Sequence, residues 1–325
     1  MLLIQHGTLH TMEADNPIRA DMLIRDGKIT KIDRNIHPNK NTKVINAEGL
    51  HIYPGFIDAH SHIGIAEEQT TAQTDYSNEG TDPITPFIRA IDGINPMDSA
   101  FHNALAAGIT GVMVGPGSSN PIGGQFAFIK TYGRCVDDRI VLAPAAIKVA
   151  FGENPMSTYG VNGTTPATRM GIASVIREEL FRAQQYFENG DAQKDYRLEC
   201  YRELFAGEIP LKAHVHRADD IFTAIRIAKE FGLGLTLDHC TEGHLIAEEI
   251  AASGFPAIVG PSLASRTKDE VAYSDFKTPG GLHKVGGSVA LTTDHPVSRI
   301  QYLPLCASLA AKEEWSEQSA LRAIT

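Results

Sequence analysis

The chain has 325 residues, 42% of them hydrophobic, and a formal net charge of −10. That length suits one large domain, or a barrel with a small appendage, and the acidic balance excludes a basic nucleic-acid groove. Four cysteines with no CxxC pair exclude a disulfide framework and a zinc ribbon, which points to a reducing, cytoplasmic setting.

The N-terminal stretch MLLIQHGTLHTME lacks the basic start and small-residue cleavage site of a signal peptide, and no apolar run in the chain is long enough to span a membrane. Residues 1–52 read as short strands and tight turns. LLIQHGTLHT, DMLIRDGKITKID and TKVINAEGLHIY alternate polar and apolar residues, and Asp26-Gly27 between two such runs predicts a hairpin. This segment is expected to form a small β layer ahead of a main domain over 53–325.

From Pro54 the rhythm changes. The apolar runs FIDAH, GITGVMVG, IVLAPAAIKVA, LKAHVH, LGLTLDHC, PAIVG and SVALTTD are interleaved with helical patterns at Thr168 to Phe187, Asp219 to Phe231 and Glu242 to Ala252. Strand then helix, repeated about eight times, predicts an α/β fold with a (β/α)8 TIM-like barrel. Strands three and four, between Asn120 and Lys148, are not resolved by pattern. The Thr-, Asp-, Asn- and Pro-rich loop from Glu67 to Pro96 follows the first barrel strand and is expected to cover the mouth of the site.

The chemistry collects at strand ends. In PGFIDAHSHIG, His60 and His62 are two residues apart in a strand, so they share a face. At the carboxyl end of a barrel strand, two imidazoles on one face suit a metal. LKAHVH then ends in His214 and His216, LTLDHC carries His239, and LTTDHP carries Asp294. One HxH is a weak signal; the ordered set of strand-end donors His60, His62, His214, His239 and Asp294 is a strong one. His214 is favoured as the ligand, with His216 beside it toward substrate. Lys148 closes IVLAPAAIK; it either snorkels or pairs with an acid, or it ligates after unusual chemistry. Among arginines that could hold a carboxylate, Arg217 follows the fifth-strand histidines and Arg169 opens a long helix; Tyr159 could donate to an oxyanion.

PGFIDAHSH followed by strand-end His, His and TTD resembles the amidohydrolase superfamily. DGKI, GPGSSNPIGGQ, IKVAFGENP and the closing ALRAIT add a similarity to its imidazolonepropionase-related branch, which includes Xaa-Pro dipeptidases. The resemblance spans nearly the whole chain. It implies a barrel flanked by a β-sandwich, with His60, His62 and Asp294 on one metal and His214 and His239 on a second. It implies zinc or a similar divalent ion, in one or two copies, and a carboxylated Lys148 bridging where two are bound. Superfamily members continue beyond a closing helix with further sandwich strands; here ALRAIT ends at Thr325, so the sandwich is expected to lack its C-terminal strands.

The implied reaction is metal-dependent hydrolysis of an amide or cyclic amide C–N bond in a small molecule or dipeptide. Asp294 takes a proton from water and returns it to the leaving nitrogen. Two alternatives stand beside it. One is a deaminase, disfavoured because HVHRADD lacks the glutamate that deaminase members carry after the fifth-strand histidine. The other is a non-catalytic, truncated scaffold member. No nucleic acid or membrane partner is expected, and a homo-oligomer fits barrels of this kind.

Overall fold

A computed structural model describes residues 1–68, 75–189, 193–313 and 315–325. The chain divides into two units, Met1–Gly55 with Thr325, and Phe56–Ile324.

The N-terminal unit is built on β1 (Leu2–Leu9). Strand β2 (Ile18–Arg25) pairs antiparallel with β1, and β3 (Lys28–Asp33) antiparallel with β2. Strands β4 (Lys43–Asn46) and β5 (His51–Ile52) add parallel to β1. Among the described residues this unit holds that one five-stranded sheet. The Asp26-Gly27 turn joins β2 to β3 with both residues at positive φ, 50° and 75°, the conformation a two-residue hairpin of this composition adopts. Leu9, Ala20 and Met22 form a small core with Ile4, Ile24 and Ile52 packed on it. Beside it the buried Asp21 carboxylate accepts the His6 and Ile36 backbone N–H groups at 2.8 and 2.9 Å. The edge strand β3 is exposed along its length and carries Lys28 and Lys31, charges that discourage edge pairing.

The second unit is an eight-stranded sheet whose spatial order follows chain order: β6 (Phe56–Ser61), β7 (Ile109–Val114), β8 (Ile122–Lys130), β9 (Ile140–Ala150), β10 (Leu211–Val215), β11 (Leu235–His239), β12 (Ala257–Val259) and β13 (Val289–Leu291). The all-parallel expectation fails at one place. Strand β8 runs antiparallel to both β7 and β9. Its flanking links, 115–121 and 131–139, are shorter than the dozen or so residues a parallel crossover needs. The remaining neighbours are parallel.

Strands β10 and β11 are covered on both faces, and their apolar residues join one continuous core with Ile147, Val149, Ala257, Val259 and Leu291. The helix Arg169–Glu188 buries Ile172, Ile176, Leu180 and Ala183 along one stripe, with the Thr168 side chain capping Gly171 N–H. The helix Ala218–Phe231 stops at Gly232 in the left-handed region. The pattern expected as one helix over Glu242 to Ala252 is split: a 3-10 turn Gly243–Ile246 precedes the helix Ala247–Ser253, because Ile246 leaves the helical region with φ −136°.

The sheet is nearly closed, and side chains bridge the gap between β13 and β6. Asp58 on β6 accepts Thr292 Oγ1 at 2.7 Å and Thr293 N–H at 3.1 Å, while Thr292 Oγ1 also reaches the His60 carbonyl. His62 N–H donates to the His295 carbonyl at 2.8 Å. Among the described residues no helix is long and apolar enough to cross a membrane.

Candidate metal centre

The carboxyl ends of β6, β10, β11 and β13 converge on a cavity of about 360 Å³. His62, His214, His216 and Asp294 line it; His60, His239 and Lys148 lie buried among them. In the loop expected to cover the mouth, Asp75, Ser77 and Asn78 contribute to the lining, and residues 69–74 lie outside the described residues.

Each imidazole is oriented through one nitrogen. His62 Nδ1 donates to the Gly115 carbonyl and His239 Nδ1 to the Gly260 carbonyl, both at 2.7 Å. His60 Nδ1 lies 2.9 Å from Asp238 Oδ2, whose other oxygen takes Lys212 Nζ at 3.0 Å. His214 Nδ1 meets Ser118 Oγ at 2.9 Å, and His216 Nδ1 meets Thr241 Oγ1 at 2.7 Å. The 115–121 loop between β7 and β8 therefore supplies two of these partners, Gly115 and Ser118.

The Nε2 atoms are left for something else. Those of His60, His214 and His239 are buried without a hydrogen-bond partner. His60 Nε2 and His62 Nε2 lie 3.4 and 3.3 Å from Asp294 Oδ1. Donor atoms of His60, His239 and Asp294 lie within 4.8 Å of one another, as do those of His214, His216 and His239. Buried lone pairs that face one another are costly without a cation between them. Nitrogen and carboxylate donors, each imidazole held through its far nitrogen, are the donor chemistry of a divalent metal site.

Electrostatics keep the donors in the required states. Burial pushes His239 down to about 3 and His214 and His216 well below the usual histidine value, so these rings are neutral at pH 7. Burial opposes the Asp294 charge; protons on His239, His60 and His62 offset it and hold the carboxyl well below its usual range, and where those rings are neutral a cation would take their place. Burial likewise opposes the Asp238 charge, and Lys212 and His60 overcome it. His239 and Asp294 both sit at positive φ, 75° and 52°, strain of the kind that accumulates where side chains must be aimed.

Lys148 on β9 is wholly buried, its Nζ without a hydrogen-bond partner and 5.6 Å from the Phe126 ring centroid. Burial lowers its pKa to about 8, so the amine loses its proton more readily than an exposed lysine does.

The structure does not bring the other candidates to the cavity wall. Arg217 grips Asp219 through Nε and Nη2 at 3.0 and 2.9 Å. Arg169 donates to Asp220 Oδ2 at 3.0 Å. Tyr159 donates to the Asp82 carbonyl at 3.0 Å. In their place Asn154, Arg266 and Lys268 line the cavity, and Glu270 lies buried behind them. Asn154 lies within the quoted IKVAFGENP segment, at the start of a short helix, Glu153–Tyr159; Arg266, Lys268 and Glu270 fall in the irregular stretch after β12, where no periodicity marks them and tertiary contacts aim them. Asp58 and Asp238 stand two and one positions from His60 and His239, a proximity that could have marked them.

No family model matches the chain. An amidohydrolase from Thermotoga maritima MSB8, known from its crystal structure, is 39% identical, with a TM-score of 0.96 over all of this chain and 87% of that one. Amidohydrolase tasK of Hapsidospora irregularis is 26% identical over 340 residues, 94% of this chain and 35% of its own; the chain spans about a third of that curated relative's length. A Xaa-Pro dipeptidase solved with methionine in its active site is 15% identical, with a TM-score of 0.56 over all of this chain and 86% of that one, a likeness of fold alone.

Proposed function

The chain belongs to the amidohydrolase superfamily, and from that premise we propose that it hydrolyses the C–N bond of an amide or cyclic amide in a small molecule or dipeptide. The observation that carries this reading is the convergence of five imidazoles and Asp294 on one cavity, with buried Nε2 atoms left unpartnered.

His60, His62 and Asp294 would hold one divalent cation, and His214 and His239 a second. Zinc suits these nitrogen and carboxylate donors. Lys148, with its buried and readily neutral amine, is suited to carry the carboxyl group that bridges two ions. When bound, the cation supplies Lewis acidity toward the scissile carbonyl and makes hydroxide accessible near neutral pH.

The remaining work falls to the chain. Asp294, ionised and held between His60 and His62, takes the proton of the attacking water at Oδ1 or Oδ2 and returns it to the leaving nitrogen. His216, Asn154 and Lys268 form the wall against which the substrate rests. Arg169 acts at one remove by holding Asp220 beneath that wall.

The test is turnover by zinc-loaded protein against a panel of dipeptides, N-acyl amino acids and cyclic amides, reading released amine. Hydrolysis of at least one class is expected, lost in Asp294→Asn. A fully metallated protein that turns over nothing across the panel would sink the reading.

A further inference from the structure

Glu270 follows β12 in the short turn Asp269–Val271 and is 1% exposed. We propose that Glu270 and His216 are metal ligands, completing a second cation position with His214 and His239 that is distinct from the one framed by His60, His62 and Asp294. The inference rests on the metal-dependent reading above, adds Glu270 to its donors and moves His216 from the substrate wall to the ion.

The first support is distance. Glu270 Oε1 lies 3.8 Å from His214 Nε2 and 3.9 Å from His216 Nε2. Those separations are beyond hydrogen-bond reach. They lie near the edge of a tetrahedral site, about 3.4 Å for bonds of roughly 2.0–2.1 Å. Donor atoms of His214, His216 and His239 already lie within 4.8 Å of one another, and Glu270 Oε1 faces two of the three.

The second support is that the carboxylate is built in rather than incidental. Glu153 N–H donates to Glu270 Oε2 at 2.9 Å, and Glu270 N–H donates back to Glu153 Oε1 at 3.2 Å. Arg169 Nη2 lies 3.7 Å from the same Oε2. Gly152 holds φ +85°, and a Cβ there would strike Oε2, so the chain keeps that space open for the carboxylate. With Oε2 committed to Glu153, Oε1 is turned toward the imidazoles.

The third support is the charge already at Oε1. Lys268 Nζ bonds Oε1 and also Asn154 Oδ1, at 2.9 Å to the latter. The Lys268 side chain is 24% exposed on the cavity wall, so it can swing into the cavity when a dication takes its place. The competing account makes Glu270 only a member of the ion-pair set with Lys268 and Arg169, and the two accounts predict different variants to matter.

The experiment titrates metal-stripped protein with Co²⁺, reading bound equivalents by equilibrium dialysis and coordination by the visible absorption band. Wild type is expected to take two equivalents. Glu270→Gln, which keeps size and the Glu153 N–H contact, is expected to bind the second at least about tenfold more weakly, with an altered band. His216→Asn should behave alike, and Lys268→Gln, which breaks the ion pair with Glu270 but removes no proposed donor, should retain both equivalents. Two equivalents of unchanged affinity and spectrum in either Glu270→Gln or His216→Asn overturn the inference. Loss of the second equivalent in Lys268→Gln as well assigns Glu270 to the ion-pair set and overturns it too. A single equivalent in wild type overturns it while sparing the metal-dependent reading; none in wild type overturns both.

Discussion

Asp58 on β6 accepts the hydroxyl of Thr292 at 2.7 Å, and that pair carries the barrel across the gap between its first and last strands. The same carboxylate takes Thr293 N–H and Oγ1 and the His60 N–H, so one fully buried side chain satisfies four donors. Because Thr292 also reaches the His60 carbonyl, closure of the barrel and placement of a candidate metal donor are mechanically linked.

Asp58→Ala should therefore be among the more costly single changes in the chain. It strands buried donors, and a loss of about 3 kcal/mol or more is expected in urea denaturation. Asp58 contributes no donor to the metal centre, so protein that still folds should keep its metal content. A variant as stable as wild type would remove Asp58 from this role.

Asp294→Asn separates proton transfer from metal holding. The asparagine keeps the shape but cannot accept and return a proton, so kcat should fall by about 10²–10⁴ with metal content largely retained. Steady-state kinetics with elemental analysis on the same sample checks this. Unchanged kcat would exclude Asp294 as the proton carrier.

The parts of the site legible in the sequence are those set by local geometry. His60 and His62 share a face because a strand repeats every two residues, and His214, His239 and Asp294 recur at the ends of apolar runs. The hairpin at Asp26-Gly27 follows from local turn preference in the same way. Strand β8 is illegible as a barrel strand because the strand-helix rhythm lapses there: short links leave no helix to announce it. Arg169 and Arg217 look available in sequence because their partners, Asp220 and Asp219, belong to a helix whose packing, not whose spacing, engages them. Glu270 is reached only through the tertiary placement of the loop after β12 against Glu153 and the imidazoles.

Asp220, which is not itself among the proposed metal donors, provides a pH test. Burial pushes its carboxyl from 3.8 up to about 6, against the opposing pull of Arg169. Between those values the folded chain holds a proton the unfolded chain has released, so this group's contribution to stability falls as pH rises through the window. Asp220→Asn does not titrate. Its stability relative to wild type should improve by about 2–3 kcal/mol between pH 4 and pH 7, whatever its offset at pH 4. Urea melts of metal-stripped protein at both pH values measure the change; a difference that does not move with pH would contradict a raised Asp220.

Metal removal should cost stability as well as activity. The Nε2 atoms of His60, His214 and His239 are buried and unpartnered, so the folded chain binds a cation far better than the unfolded chain does. A ligand present at 100 times its dissociation constant stabilises by about 2.7 kcal/mol. For a chain of 325 residues that corresponds to a rise in Tm of about 4 °C. Protein treated with chelator and dialysed should melt lower by that margin and recover on adding Zn²⁺. Mg²⁺ should not restore it, since imidazole nitrogen is a poor donor for that ion. Recovery with Mg²⁺ would mean that exposed carboxylates, rather than the histidines, hold the stabilising ion. Identical melting with and without chelator, in protein shown to have carried metal beforehand, would mean that the buried imidazoles are not where the metal binds.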